Sequence, residues 1–182
     1  MTEKITRRTA LELIGHEAIV LEWYKDSKGI GTWGIGVTSA SGHNVERYKD
    51  KPQTVARCIE IFLWLLETKY APDVRAAFRT ELTEAQFAAA LSFHYNTGAI
   101  KTASWVRLFN EGKVTAARSN FMSWRYPAEI LSRREKECRL FFDGKWSNDG
   151  KVIIYPVLKP SYQPAFRKAS RVDITHDLGD LP

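Results

Sequence analysis

The eight residues Gly29-Ile-Gly-Thr-Trp-Gly-Ile-Gly36 constrain this chain more than any other stretch of its 182 residues. Four glycines in eight positions cannot sustain a helix, since each costs about 1 kcal/mol in a helix interior. Thr32, Trp33, Ile35 and Val37 are, in contrast, residue types that favour a pleated, half-buried surface. The preceding Asp26-Ser-Lys-Gly29 has turn composition, so a small twisted hairpin is expected here. The run carries no phosphate-binding lysine and precedes no helix, which makes its glycines turn and strand residues and not a phosphate cradle.

On both sides of the hairpin the hydrophobic spacing is helical. A first helix is predicted over about residues 6–23, with Thr9 and Glu12 spaced as a capping box and Leu11, Leu13, Ile14 and Ala18 on its apolar face. Pro52 opens a second run to about residue 70, carried by Val55, Ile59, Phe62, Leu63 and Leu66, and Pro72 ends or breaks it. Thr83 and Gln86 form another capping box in front of Phe87, Ala90, Leu91 and Tyr95, with Gly98 closing that helix. Shorter helices are expected near residues 104–109 and 114–124, and a last one over about 128–142 that leaves through Gly144. Beyond Trp146 the periodicity fades into a strand-like Val152-Ile-Ile-Tyr155 and scattered prolines. An extended tail packing on the surface is expected there, with the last ten or so residues mobile. The fold class is therefore α+β, mainly α.

Three polar residues around the hairpin carry the chemistry. Glu17 falls in the last turns of the first helix, Asp26 follows nine residues later on the turn, and Thr32 six further on the strand. Cleavage of a glycosidic bond needs one carboxyl group to protonate the leaving oxygen and a second to manage a water or the developing positive charge. If each residue type fills about one position in sixteen, the spacing arises once in about 4000 starts, which is short of an assignment. Taken singly, the three are a solvated helix glutamate, a turn aspartate and a strand threonine.

Other chemistries lack their residues. His16, His43, His94 and His176 have no partner at metal-ligand spacing, so neither a metal nor a cofactor is expected. No Gly-x-Ser-x-Gly elbow occurs. Cys58 and Cys138, each inside an amphipathic run, are expected as two buried reduced thiols. The formal charge of +6 favours a polyanionic partner. Nucleic acid is not expected, because neither a helix-turn-helix nor an aromatic-basic surface motif is found. The apolar stretch over residues 11–24 is broken by Glu12, His16, Glu17 and Glu22, so it is neither an export signal nor a membrane span, and the chain is expected to accumulate in the cytoplasm without stable membrane insertion.

The segment from Glu17 to Gly36 closely resembles the signature of the phage-type lysozymes, glycoside hydrolase family 24. That family has a glutamate at the end of its first helix, followed at these spacings by an aspartate and by a threonine in a Thr-x-Gly-x-Gly strand. The resemblance continues through Leu82-Thr-Glu-Ala-Gln-Phe-Ala-Ala-Ala-Leu-Ser-Phe-His-Tyr-Asn-Thr-Gly98, Phe109-Asn-Glu-Gly112, Trp124, Arg133-Arg-Glu-Lys-Glu-Cys-Arg-Leu-Phe141 and Gly144-Lys-Trp146, and so spans about residues 8–146. Many members carry histidine after the second strand glycine, where this chain has Val37, so altered local stability or pH dependence is expected without loss of activity.

The resemblance implies a lysozyme-like, two-lobed catalytic domain over residues 1–146, with a small hairpin lobe at about 17–51, a bridging helix at about 52–70 and a larger helical lobe at about 71–146 that includes the N-terminal helix, followed by an extension at 147–182. It implies cleavage of the β-1,4 bond between N-acetylmuramic acid and N-acetylglucosamine of bacterial peptidoglycan, in a cleft between the lobes. Glu17 would be the general acid, and Asp26 with Thr32 would stabilise the cationic transition state and hold an inverting water. The family's arginine near the glutamate corresponds to Arg133, with Arg134 the alternative by counting. Tyr95 is expected to line the cleft. A monomer is expected, admitted to the periplasmic wall by a separate holin-like membrane protein, either as a free endolysin or within a virion. Lytic transglycosylase action on the same bond, or a catalytically silent wall-binding module, are the alternatives.

Overall fold

A computed structural model of the chain describes residues 4–182. Helices predominate: α1 (Arg7–Glu17), α2 (Val55–Leu65), α3 (Ala71–Ala77), α4 (Glu84–Thr97), α5 (Ser104–Asn110), α6 (Val114–Phe121) and α7 (Leu131–Asp143). The strands are β1 (Val20–Lys25), β2 (Gly31–Gly34), β3 (Val37–Thr38), β4 (Lys151–Ile154), β5 (Val157–Leu158), β6 (Gln163–Pro164) and β7 (Ser170–Asp173). The described residues form two compact units, one of residues 4–12 and 66–147, the other of residues 13–65 and 148–182.

In the first unit, α4 is buried on every side from Phe87 to His94, so it is the central helix of this unit and not a surface helix with one apolar stripe. It begins in the expected capping box: Thr83 Oγ1 accepts from Gln86 N, and Gln86 Oε1 accepts from Thr83 N. Gly98 closes it at φ 67°. Around it stand Phe93, Trp105, Phe121 and Phe141, with ring centroids 4.8–5.3 Å apart for Trp105 against the other three. Among these rings lies a charged group. Glu137 accepts from Ser92 Oγ at 2.5 Å, from Arg133 Nε at 2.8 Å and from Arg134 Nη1, and the Arg134 guanidinium sits 4.8 Å from the Phe93 ring centroid.

His94 is the buried histidine of this unit. Its Nδ1 accepts from Ile100 N at 3.5 Å and its Nε2 lies 3.4 Å from Asp73 Oδ2, the pattern of a neutral ring protonated at Nε2. Burial lowers its pKa below the ordinary 6.5, and Asp73 opposes that only in part. Lys101, paired with Asp73 at 2.7 Å, adds to the lowering. The unfolded chain therefore binds a proton here that the folded chain refuses, and the resulting stability is complete above about pH 6.5 and lost as the pH falls below it. A melting temperature that drops between pH 7.5 and 5.5 is expected, with a shallower slope in His94→Gln; equal slopes would refute it.

In the second unit, β1, β2 and β3 form an antiparallel sheet, pairing Tyr24 with Thr32 and Trp33 with Val37. Trp33 is fully buried, stacks on Tyr48 at 3.9 Å and donates its indole N–H to the Leu21 carbonyl at 3.1 Å. A Cβ at Gly31 would come within 2.6 Å of Glu46 Oε1 and Trp23 Nε1, so glycine there admits the 2.9 Å hydrogen bond from Trp23 to Glu46. Cys58 and Cys138 are both free and buried, and burial pushes the Cys58 thiol up to about 12.

Several expectations are corrected. The first helix stops at Glu17, and residues 20–25 form β1. Thr9 and Glu12 form no capping box: Thr6 Oγ1 accepts from Thr9 N at 3.1 Å, while the buried Glu12 accepts from Ser147 N and Oγ at 3.0 and 2.5 Å. The run from Pro52 does reach Tyr70, through a π turn at Leu66–Tyr70, and Pro72 breaks it without ending helical structure, since it lies in the first turn of α3. The residues after Trp146 are no bare tail: β4 pairs with β7 and β5 with β6, and Ile174 and Leu178 are buried.

Candidate active site

Glu17 is the last residue of α1, and the helix ends there because Ala18 takes a left-handed conformation, φ 60°, that glycine usually fills. An L-residue pays roughly 1–2 kcal/mol for that geometry, so the surroundings must impose it. They do so through Ile19, whose N–H donates to the Ile153 carbonyl at 2.8 Å and whose carbonyl accepts from Tyr155 N at 3.0 Å. The strand after the glutamate is thus clamped by the C-terminal extension.

Asp26 is built into the turn. Its Oδ1 accepts from the N–H groups of Lys28 and Ile30, both at 2.8 Å, and its own N–H donates to the Ile30 carbonyl at 3.0 Å. Its Oδ2 accepts no hydrogen bond among the described residues. Thr32, 3% exposed, donates its hydroxyl to the same Ile30 carbonyl at 3.0 Å. Its pairing opposite Tyr24 puts those two side chains on one face of the sheet.

Glu17, Tyr24 and Asp26 line one cavity of about 330 Å³, together with Tyr155, Gln163 and Phe166 from the extension. The Tyr24 phenol is pushed well above its ordinary range, by burial first and then by the negative charges of Glu17 and Asp26. It is therefore a neutral hydroxyl at physiological pH that feels both carboxylates. Tyr24 and the three extension residues are absent from the sequence-based site. The Tyr24↔Thr32 register follows from the hairpin once β1 is recognised as a strand, whereas no local signal marks Tyr155, Gln163 or Phe166.

The other two expected residues lie in the first unit. Arg133, 11% exposed in its side chain, is held by Glu137 and by two donations from Nη2 to Ser92 O and Oγ at 3.2 Å. Arg134 is fully buried and also donates to Asn96 Oδ1 at 2.7 Å and Trp124 O at 3.1 Å, which makes it a packing cation of that unit. Tyr95 is half-buried with its ring edge-on to Tyr70 at 4.9 Å.

This mainly helical chain with small antiparallel sheets has the α+β fold of the lysozymes. A phage FAHEc1 endolysin of Escherichia coli O157:H7 superposes with a TM-score of 0.71 at 22% identity, covering 80% of this chain and 97% of that one. A mutant of P22 lysozyme superposes at 0.63 with 26% identity, over 78% of this chain and 98% of that one. The chain belongs to the phage lysozyme family, whose model matches residues 15–137. Among curated relatives, the endolysin of Bacillus phage B103 is 29% identical over 95 residues, 48% of this chain. The match spans only 36% of that relative's length.

Proposed function

We propose that this chain is an endolysin that hydrolyses the β-1,4 bond between N-acetylmuramic acid and N-acetylglucosamine in peptidoglycan. The observation that carries this is the shared cavity: a helix-end carboxyl and a turn carboxyl face one space, with a phenol that senses both charges. In the proposed reaction Glu17 protonates the glycosidic oxygen as the bond to the anomeric carbon breaks, which leaves an oxocarbenium-like sugar. Asp26 Oδ2 stabilises that charge and accepts one proton of the attacking water. Thr32 has one O–H to donate, already given to Ile30, so its remaining capacity is to accept a hydrogen bond from the water's other O–H. With one proton passing to Asp26 as the C–O bond forms and the other O–H held by Thr32 and kept in the product hydroxyl, the water's lone pair is directed at the anomeric carbon, and attack from the far face inverts the configuration.

Arg133 is proposed as a supporting cation and Tyr95 as a substrate contact. The basic balance of the chain would speed encounter with the anionic wall in a salt-dependent way. No helix among the described residues is long and apolar enough to cross a membrane. Synthesis in the cytoplasm, passage through a lesion made by a separate membrane protein and action as a monomer complete the proposal.

Mass spectrometry of the products released from purified peptidoglycan tests substrate, bond and mechanism together. Reducing N-acetylmuramic acid ends, formed first as the inverted anomer by NMR, are expected. Anhydro-muramic ends would replace hydrolysis by transglycosylation, and reducing N-acetylglucosamine ends would assign the wrong bond.

A further inference from the structure

We propose that the C-terminal extension supplies a saccharide-binding wall of the active site, with Phe166 as its stacking platform and Gln163 as its polar contact. The family match ends at residue 137, so this segment lies outside what the family defines. Tyr155, Gln163 and Phe166 nevertheless line the same cavity as Glu17 and Asp26. Phe166 is 69% exposed, an unusual state for a phenylalanine that packs no core. Its ring meets Tyr155 edge-on at 5.3 Å and 74°, so one ring braces the other. An apolar ring face beside a side-chain amide and a carboxyl pair is what a pyranose needs, because the sugar offers an apolar C–H face and hydroxyl or N-acetyl groups around its rim.

The wall is anchored on both sides of the catalytic strand. Ile19 exchanges hydrogen bonds with Ile153 and Tyr155, and at the far end Lys25 N donates to Tyr162 O at 2.7 Å. Tyr162 packs edge-on against Trp23 at 5.4 Å and donates its hydroxyl to Asp50 at 2.9 Å. Lys159 pairs with both Glu22 and Asp50. A surface held this way presents its contact groups without an ordering cost on binding.

The inference rests on the saccharide substrate proposed above. Phe166→Ala, Phe166→Trp and Gln163→Ala are assayed on solubilised glycan strands of alternating N-acetylglucosamine and N-acetylmuramic acid. Because a stacking ring and an amide have no proton to transfer in the proposed reaction, Phe166→Ala is expected to raise KM roughly three- to tenfold with kcat held within twofold. Gln163→Ala is expected to raise KM by a similar factor, and Phe166→Trp to keep wild-type KM. Unchanged or lowered KM in Phe166→Ala, or a fall in kcat alone, would overturn the wall. A second readout, co-sedimentation of the Glu17→Gln protein with purified sacculi with and without Phe166→Ala, needs no turnover. Binding lost through Phe166→Ala supports the wall even if wild type releases no reducing ends, whereas active wild type with unaltered binding in the variant defeats the wall and leaves the hydrolase intact.

Discussion

Glu17→Gln is expected to lower kcat on peptidoglycan by roughly 10²–10⁴-fold, the range that a positioned general acid contributes. The amide keeps the shape of the side chain and removes only the proton it must deliver. Stability should not fall with activity. Glu17 is the C-terminal residue of α1, where the helix dipole disfavours a negative charge by about 0.3–1 kcal/mol. The melting temperature is therefore expected to stay level or rise by up to about 4 °C. Loss of activity with a lowered melting temperature would assign Glu17 a structural part instead. Wild-type turnover by the amide variant would remove it from the chemistry altogether.

Glu137→Leu is expected to be among the most destabilising single changes in the chain, costing about 3–5 kcal/mol. Glu137 and Arg134 are both fully buried and Arg133 nearly so, and the carboxylate is the counter-charge to both guanidiniums. Its removal leaves two like charges near one another in an apolar surround and takes away the acceptor of the Ser92 hydroxyl. A drop in melting temperature of roughly 6–20 °C follows for a domain of this size. The double replacement Arg134→Met/Glu137→Leu should recover part of the loss, since an apolar pair has no charge to strand. A Glu137→Leu melting temperature within 2 °C of wild type would show that the ion cluster contributes little.

Where short-range chemistry set the structure, it was legible from residue types. The hairpin followed from glycines at 29, 31, 34 and 36, and the start of α4 from Thr83 and Gln86, whose reciprocal bonds need only three residues of separation. The end of α1 was not legible. Glycine or asparagine normally marks a left-handed stop, and Ala18 carries no such mark; the conformation is imposed by Ile153 and Tyr155, more than 130 positions away in the sequence. Glu12 was misread for the same reason, because its partner Ser147 is 135 residues distant. Tyr24 carries no local mark, because the helical spacing over about residues 6–23 hides the strand at 20–25 and its pairing with β2.

The mainly helical α+β class and the family were legible in the order of the residues, and the proposed triple Glu17, Asp26 and Thr32 is local in the same sense, its helix end, turn and strand lying within sixteen positions of one another. The cavity that Glu17 and Asp26 line was not legible. Its far wall comes from residues 155–166, a segment without helical period or known motif, brought beside Glu17 by backbone bonds to Ile19 and Lys25. Such bonds use N–H and C=O groups that every residue but proline carries alike, so no residue type announces them, and only the folded chain shows which strand they join.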